Sequence, residues 1–119
     1  MEVEGKDLIL KSLEEGRGVI LFTPHMGNIE VLLNFVANNF KSTIPYTPAK
    51  ISALDSIMNS ARDLMGANMV RADSGGIKSS IIALKEGNLI MMASDQVPKK
   101  SNGIISNFFG VSALTVSLI

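Results

Sequence analysis

GRGVILFTPHMGNIEVLLNFVANNF, residues 16–40, decides the fold. Val19-Ile20-Leu21-Phe22 is a short apolar run closed by Thr23-Pro24. A run of that length, bounded by glycine and proline, predicts a strand buried on both faces. His25, the chain's one histidine, comes next, then Gly27-Asn28. Apolar residues follow at Ile29, Leu32, Leu33, Val36, Ala37 and Phe40, the spacing of a helix with one buried side. His25 therefore falls in the turn between the carboxyl end of a strand and the start of a helix, where ligands collect in open α/β sheets.

Upstream, residues 7–15 predict a short helix with Leu8, Ile9 and Leu13 on its inner side and Gly16 as its stop. Downstream, residues 43–47 predict a strand, with Pro45 placing it at an edge or a bulge because proline cannot donate to a ladder. Ser52 and Asp55 resemble a capping box. They open a helix with Leu54, Ile57, Met58, Ala61, Leu64 and Met65 inward, stopped by Gly66. Residues 67–71 predict a third strand. Asp73 or Ser74 caps a helix with Ile77, Ile81, Ile82 and Leu84 inward, ended by Gly87, and residues 89–93 predict a fourth, buried strand. The polar stretch 94–107 reads as a loop, and Phe108-Phe109-Gly110 opens a further apolar patch. Met58, Met65, Met69, Met91 and Met92 read as core filler.

Strands alternating with helices at this spacing imply an α/β fold: a mainly parallel sheet with flanking helices and right-handed crossovers. Residues 1–119 form a single domain, with no repeat and no linker. The last residues carry no stop signal, so the expectation is a partial domain with an incomplete sheet.

Composition excludes several classes. Lys+Arg and Asp+Glu balance at 11 each, and no basic stripe interleaves with aromatics, so nucleic acid is no partner. With no cysteine there is no disulfide, thiol nucleophile or Cys-based zinc site, and one histidine argues against a protein-only zinc site. The acidic N-terminus lacks the basic region of a secretory signal, and no apolar run reaches the roughly 18 residues of a membrane span. The compartment reads as cytoplasmic.

In a parallel sheet the residues just past each strand share one rim. Here these are His25, Lys50, Arg71 and Asp95: a base candidate, two cations and a carboxylate. The turn from Asp73 to Gly76 adds free backbone N–H groups at a helix start. The set suits a negatively charged, hydroxyl-bearing substrate. His25 and Glu30 would diverge on one continuous helix. If His25 precedes the helix and Glu30 lies in its first turn, a positive φ at Gly27 lets the imidazole fold back onto the carboxylate. Glu30 would then fix the tautomer while His25 takes a proton from an attacking hydroxyl, a role worth typically about 10²–10⁴-fold. The same residues have a purely structural reading. His25 then bonds its own turn, Glu30 complements a helix N-terminus, Lys50 and Arg71 are surface charges, and Asp95 ties down a loop.

GVILFTPHMGNIE resembles the first signature of the lysophospholipid acyltransferase superfamily, a histidine followed after four residues by an acid. Its Gly27-Asn28 and the apolar strand in front resemble the lipid A biosynthesis (lauroyl or myristoyl) acyltransferase branch. Further blocks come in the order of that branch. Tyr46, Pro48 and Lys50 are similar to its second block, and Val70-Arg71 stands where glycerolipid relatives carry a phosphate-binding arginine. Leu84-Lys85, Gly87 and Asp95-Gln96 are similar to the block before the late loop. Phe108-Phe109-Gly110 with Thr115 is similar to the block after that loop. Arg62 also resembles a family arginine, but the predicted topology puts it at the opposite rim. Ile29 departs from the aromatic residue common before the acid. The family's hydrophobic N-terminal segment and its C-terminal portion have no counterpart, so the chain is similar to the centre of the catalytic domain.

The resemblance implies a glycerolipid acyltransferase-like fold and an O-acyltransferase. Such an enzyme moves a fatty acyl group from an acyl carrier protein thioester, or acyl-CoA, to a hydroxyl of a lipid A precursor. It implies catalysis by His25 with Glu30, and substrate binding by Gly27, Asn28, Lys50, Arg71, Asp95 and Gln96. No metal and no cofactor beyond the acyl co-substrate are expected. The implied partners are acyl carrier protein, the lipid A precursor and a membrane surface, with peripheral residence on the cytoplasmic face of the bacterial inner membrane. Two alternatives remain: a lysophospholipid or glycerol-phosphate acyltransferase, and an inactive truncated fragment that binds lipid or a partner.

Overall fold

The computed structural model describes residues 2–48, 56, 60, 66–93, 95 and 103–116. Three helices and six strands occur among them: α1 (Lys6–Glu14), β1 (Val19–Thr23), α2 (Ile29–Asn39), β2 (Ser42–Tyr46), β3 (Asn68–Arg71), α3 (Ser74–Lys85), β4 (Leu89–Ala93), β5 (Gly103–Phe108) and β6 (Val111–Val116). The predicted helix behind Ser52 lies outside the described residues, apart from Ser56 and Ser60, which are helical.

Four strands form a parallel sheet in the order β1-β4-β2-β3. The chain leaves β1, passes over the place β4 will fill, and lays down β2. After β3 it turns back and inserts β4 between β1 and β2. Right-handed crossovers in opposite directions put their helices on opposite faces, so the sheet is sandwiched. Val36 of α2 and Phe40 just past its end pack on one face against Ile44, Leu89 and Met91, with Ile9 and Leu13 of α1 beside them. Helix α3 packs on β2, β3 and β4.

β4 is therefore the doubly covered strand, buried from Leu89 to Met92. β1, expected to be buried on both faces, is an edge strand among the described residues, and its Ile20 and Phe22 are exposed. Its apolar run is explained on one side only, by Val19 and Leu21 packed into the core. β2 lies inside the sheet despite Pro45. Its ladder to β4 ends at Thr43, so no bond on that side requires the missing N–H.

α3 turns inward only part of the side expected: Ile77 and Leu84 are half-buried. Ile81 and Ile82 are exposed, and the buried residues are Gly76, Ser80 and Ala83. Small residues at helical spacing let the helix approach the strands closely. A Cβ at Gly76 would stand 1.7 Å from the Arg71 carbonyl oxygen, so only glycine fits there. Leu8, expected inward, is also exposed. Finally, the stretch read as a loop up to residue 107 already forms β5, paired antiparallel with β6. Phe109-Gly110 is its turn, with φ of 49° and 79°, a conformation the sequence Phe-Phe-Gly does not advertise.

Candidate active site

β1 ends at Thr23, whose hydroxyl donates to the Pro24 carbonyl oxygen at 3.2 Å. The Met26 N–H donates to the same carbonyl at 2.8 Å, closing a three-residue turn centred on His25. Gly27 comes next at φ 64°, the left-handed conformation expected of it, with open space where a side chain would be. Asn28 then caps α2: its side-chain oxygen accepts from the N–H groups of Glu30 and Val31 at 3.1 and 3.3 Å. Two backbone reversals within a few residues thus lift His25 out of the regular structure while anchoring both of its flanks.

The carboxylate on the imidazole belongs to Asp95. Nδ1 lies 2.6 Å from Asp95 Oδ1, and the His25 backbone N–H donates to Oδ2 at 2.8 Å. Register explains the meeting. β1 and β4 are neighbours with Thr23 opposite Ala93, and His25 and Asp95 each stand two residues past that pair. Equal offsets from the last rung bring groups seventy positions apart side by side. Both side chains remain about 40% exposed, so a substrate can reach them. The side-chain hydrogen bond from His25, and after it the backbone one, hold the Asp95 carboxyl below its usual value of 3.8. An ionised carboxylate only accepts, so Nδ1 carries the proton and Nε2 the free lone pair.

Glu30 was expected against the imidazole by a fold-back of the loop; the carboxylate on Nδ1 is Asp95. The turn brings the imidazole to the residue past the end of β4, and Glu30 opens α2 as an exposed residue. Asn28, expected at the substrate, spends its side-chain oxygen on the cap. Arg71 ends β3 on the same rim and is exposed. Strand order puts it three strand spacings from β1, roughly 14 Å away. Lys50, Gln96 and Arg62 lie outside the described residues. A cleft of about 390 Å³ sits at the other end of the strands, lined by Lys41, Asn68, Glu86 and Asn88 among others, and does not include the His25–Asp95 pair. The place of Asp95 on this rim is legible in sequence, but its pairing with His25 needs the strand order.

An open parallel α/β sheet with a histidine–carboxylate pair at the carboxyl ends of adjacent strands holds the groups that general-base chemistry uses. The chain belongs to the bacterial lipid A biosynthesis acyltransferase family, whose model matches residues 1–119. It is an acyltransferase domain, and the family implies a lipid A precursor and an acyl donor as substrates. A comparison with curated proteins returned no match. Among the described residues, no helix is long and apolar enough to cross a membrane.

Proposed function

We propose that this chain carries the catalytic base of an O-acyltransferase that moves a fatty acyl group from acyl carrier protein to a hydroxyl of a lipid A precursor. The observation that carries the reading is the two-point contact of Asp95 with His25 on the ligand-binding rim. Asp95 holds the tautomer with the proton on Nδ1 and stabilises the imidazolium that forms. Nε2 takes the proton of the acceptor hydroxyl as its oxygen attacks the thioester carbonyl. Collapse of the tetrahedral intermediate forms the ester and breaks the C–S bond, and the imidazolium returns its proton to the departing thiolate. No acyl-enzyme is required, since no serine or cysteine occupies a nucleophile elbow.

Glu30, in the first turn of α2, is kept as the acidic partner of the base that the family motif implies. Arg71, with Lys50 and Gln96, is assigned to the acceptor, its phosphate in particular. The roughly 14 Å between the strands of His25 and Arg71 suits an elongated acceptor that presents hydroxyl and phosphate at separate points. The reaction places the domain at the cytoplasmic face of the inner membrane, where acyl carrier protein and the lipid meet.

The test is acyl transfer from acyl carrier protein to a phosphorylated glucosamine lipid. His25→Ala is expected to lower turnover by about 10²–10⁴-fold, the usual contribution of a general base. Unchanged turnover removes the proposal.

A further inference from the structure

Helix α3 shows solvent a face that neither the sheet nor the chemistry above uses. Its small residues Gly76, Ser80 and Ala83 are buried, which leaves Ile81 and Ile82 turned outward, 46% and 47% exposed. At helical spacing Lys78, Ile81, Ile82 and Lys85 fall at i, i+3, i+4 and i+7, on one stripe. Both lysines are exposed, and neither makes an ion pair among the described residues. The helix, SGGIKSSIIALK, contains no acid that would offset them.

The stripe borders a concavity. The cleft of about 390 Å³ is lined on its helix side by Ser79, Ile82 and Ala83, and Lys41 brings a third exposed cation to it. Glu86 is the acid of this surface, and Asn88 donates to its carboxylate at 3.4 Å.

Charge and shape together select the occupant. Lys78 and Lys85 stand roughly 10 Å apart along the helix axis with the apolar pair between them. The complement is a surface with carboxylates two helical turns apart and apolar side chains between them. An acidic amphipathic helix presents that pattern on one face. Ile81 and Ile82 stand only half clear of their neighbours, beside the cleft, and a ridge of a second helix fits such a groove. A bilayer takes up apolar side chains that project freely, which these do not.

We infer that the outer face of α3 docks an acidic amphipathic helix of the carrier protein that delivers the acyl thioester. The inference rests on the carrier-dependent reaction read above and adds the place where the carrier sits. Helix α3 begins three residues past the end of β3, so the stripe starts near the rim that holds His25. A carrier seated there delivers its thioester to that rim.

The probe is acyl carrier protein without an acyl chain, titrated into the protein by calorimetry, so no turnover is needed. Lys78→Gln/Lys85→Gln is expected to weaken binding about fivefold or more, and the wild-type affinity should fall as salt rises. Ile81→Ser/Ile82→Ser is expected to weaken binding comparably while keeping the salt dependence; if that variant does not fold, the lysine variant carries the test. No binding by the wild type, or unchanged binding by a folded lysine variant, overturns the inference. Two other occupants have their own signatures. A lysine variant that keeps the carrier but loses phosphatidylglycerol vesicles would make the stripe a lipid surface, and one that dissociates a wild-type dimer would make it a contact with a second copy; either result overturns it. His25→Ala is expected to bind the carrier as the wild type does, so failure of the catalytic reading leaves this test intact.

Discussion

Asp95→Asn separates a clamp on the histidine from a mere loop tie. The substitution keeps size and shape but turns one oxygen into an NH₂ group that only donates. Asp95 receives two N–H groups of His25, at 2.6 and 2.8 Å, and an asparagine can satisfy only one of them. If its oxygen stays on Nδ1, the NH₂ faces the backbone N–H, donor against donor, and the loop is pushed away. If it flips, Nδ1 must accept, the proton moves to Nε2, and the nitrogen meant to act as base has no lone pair. Both outcomes disable the same step, so the loss should approach the whole general-base contribution, about 10²–10⁴-fold in kcat/KM. The acceptor KM should change little, because Asp95 holds the base and not the lipid. The assay is steady-state acyl transfer with acyl carrier protein as donor carrier, alongside a thermal melt to confirm folding. A folded Asp95→Asn enzyme within threefold of wild type, roughly the scatter of a non-participating site, would refute the clamp.

The same geometry sets further outcomes. Gly76→Ala places a methyl 1.7 Å from the Arg71 carbonyl oxygen, so the first turn of α3 must retreat from β3 by more than an ångström. The expected loss is about 1–3 kcal/mol by urea unfolding, despite alanine's better helix propensity; an unchanged midpoint would contradict the packing. Ser42 is buried, and its hydroxyl has no hydrogen-bond partner among the described residues. Ser42→Ala is therefore expected to raise stability by about 1 kcal/mol, and a lowered melting temperature would show that the hydroxyl is satisfied. The lowered Asp95 value means that its contact with His25 stabilises the fold fully above pH 3.8 and weakens as acid takes the pH down through the folded value. Carbon-detected NMR titration should place the Asp95 carboxyl below 3.8 in the wild type, and a value at or above that would refute the hydrogen-bonded state.

Much of the fold was written in local pattern. The helical spacing from Ile29 to Phe40, the Asp73 cap, the left-handed Gly27 and the buried run 89–93 all depend on neighbours in sequence, and each is found where periodicity and turn chemistry place it. The rim that gathers His25, Arg71 and Asp95 was legible too, because every parallel strand ends on the same side. The family resemblance rested on motifs in order, and the match over residues 1–119 agrees with it.

What sequence could not supply was lateral order. Nothing near residue 93 says that its strand slots between the first two, yet that insertion gives His25 its carboxylate, makes β1 an edge strand and sets Arg71 three strands away. The inward side of α3 was hidden for a related reason. Periodicity marks where large apolar residues fall, while the distance between a helix and a sheet is fixed by the smallest residues, here Gly76, Ser80 and Ala83. Local sequence determined which elements form and which residues stand at their ends. Only the packed sheet decided which ends touch, because strand pairing joins groups far apart in the chain through contacts that no short window of sequence contains.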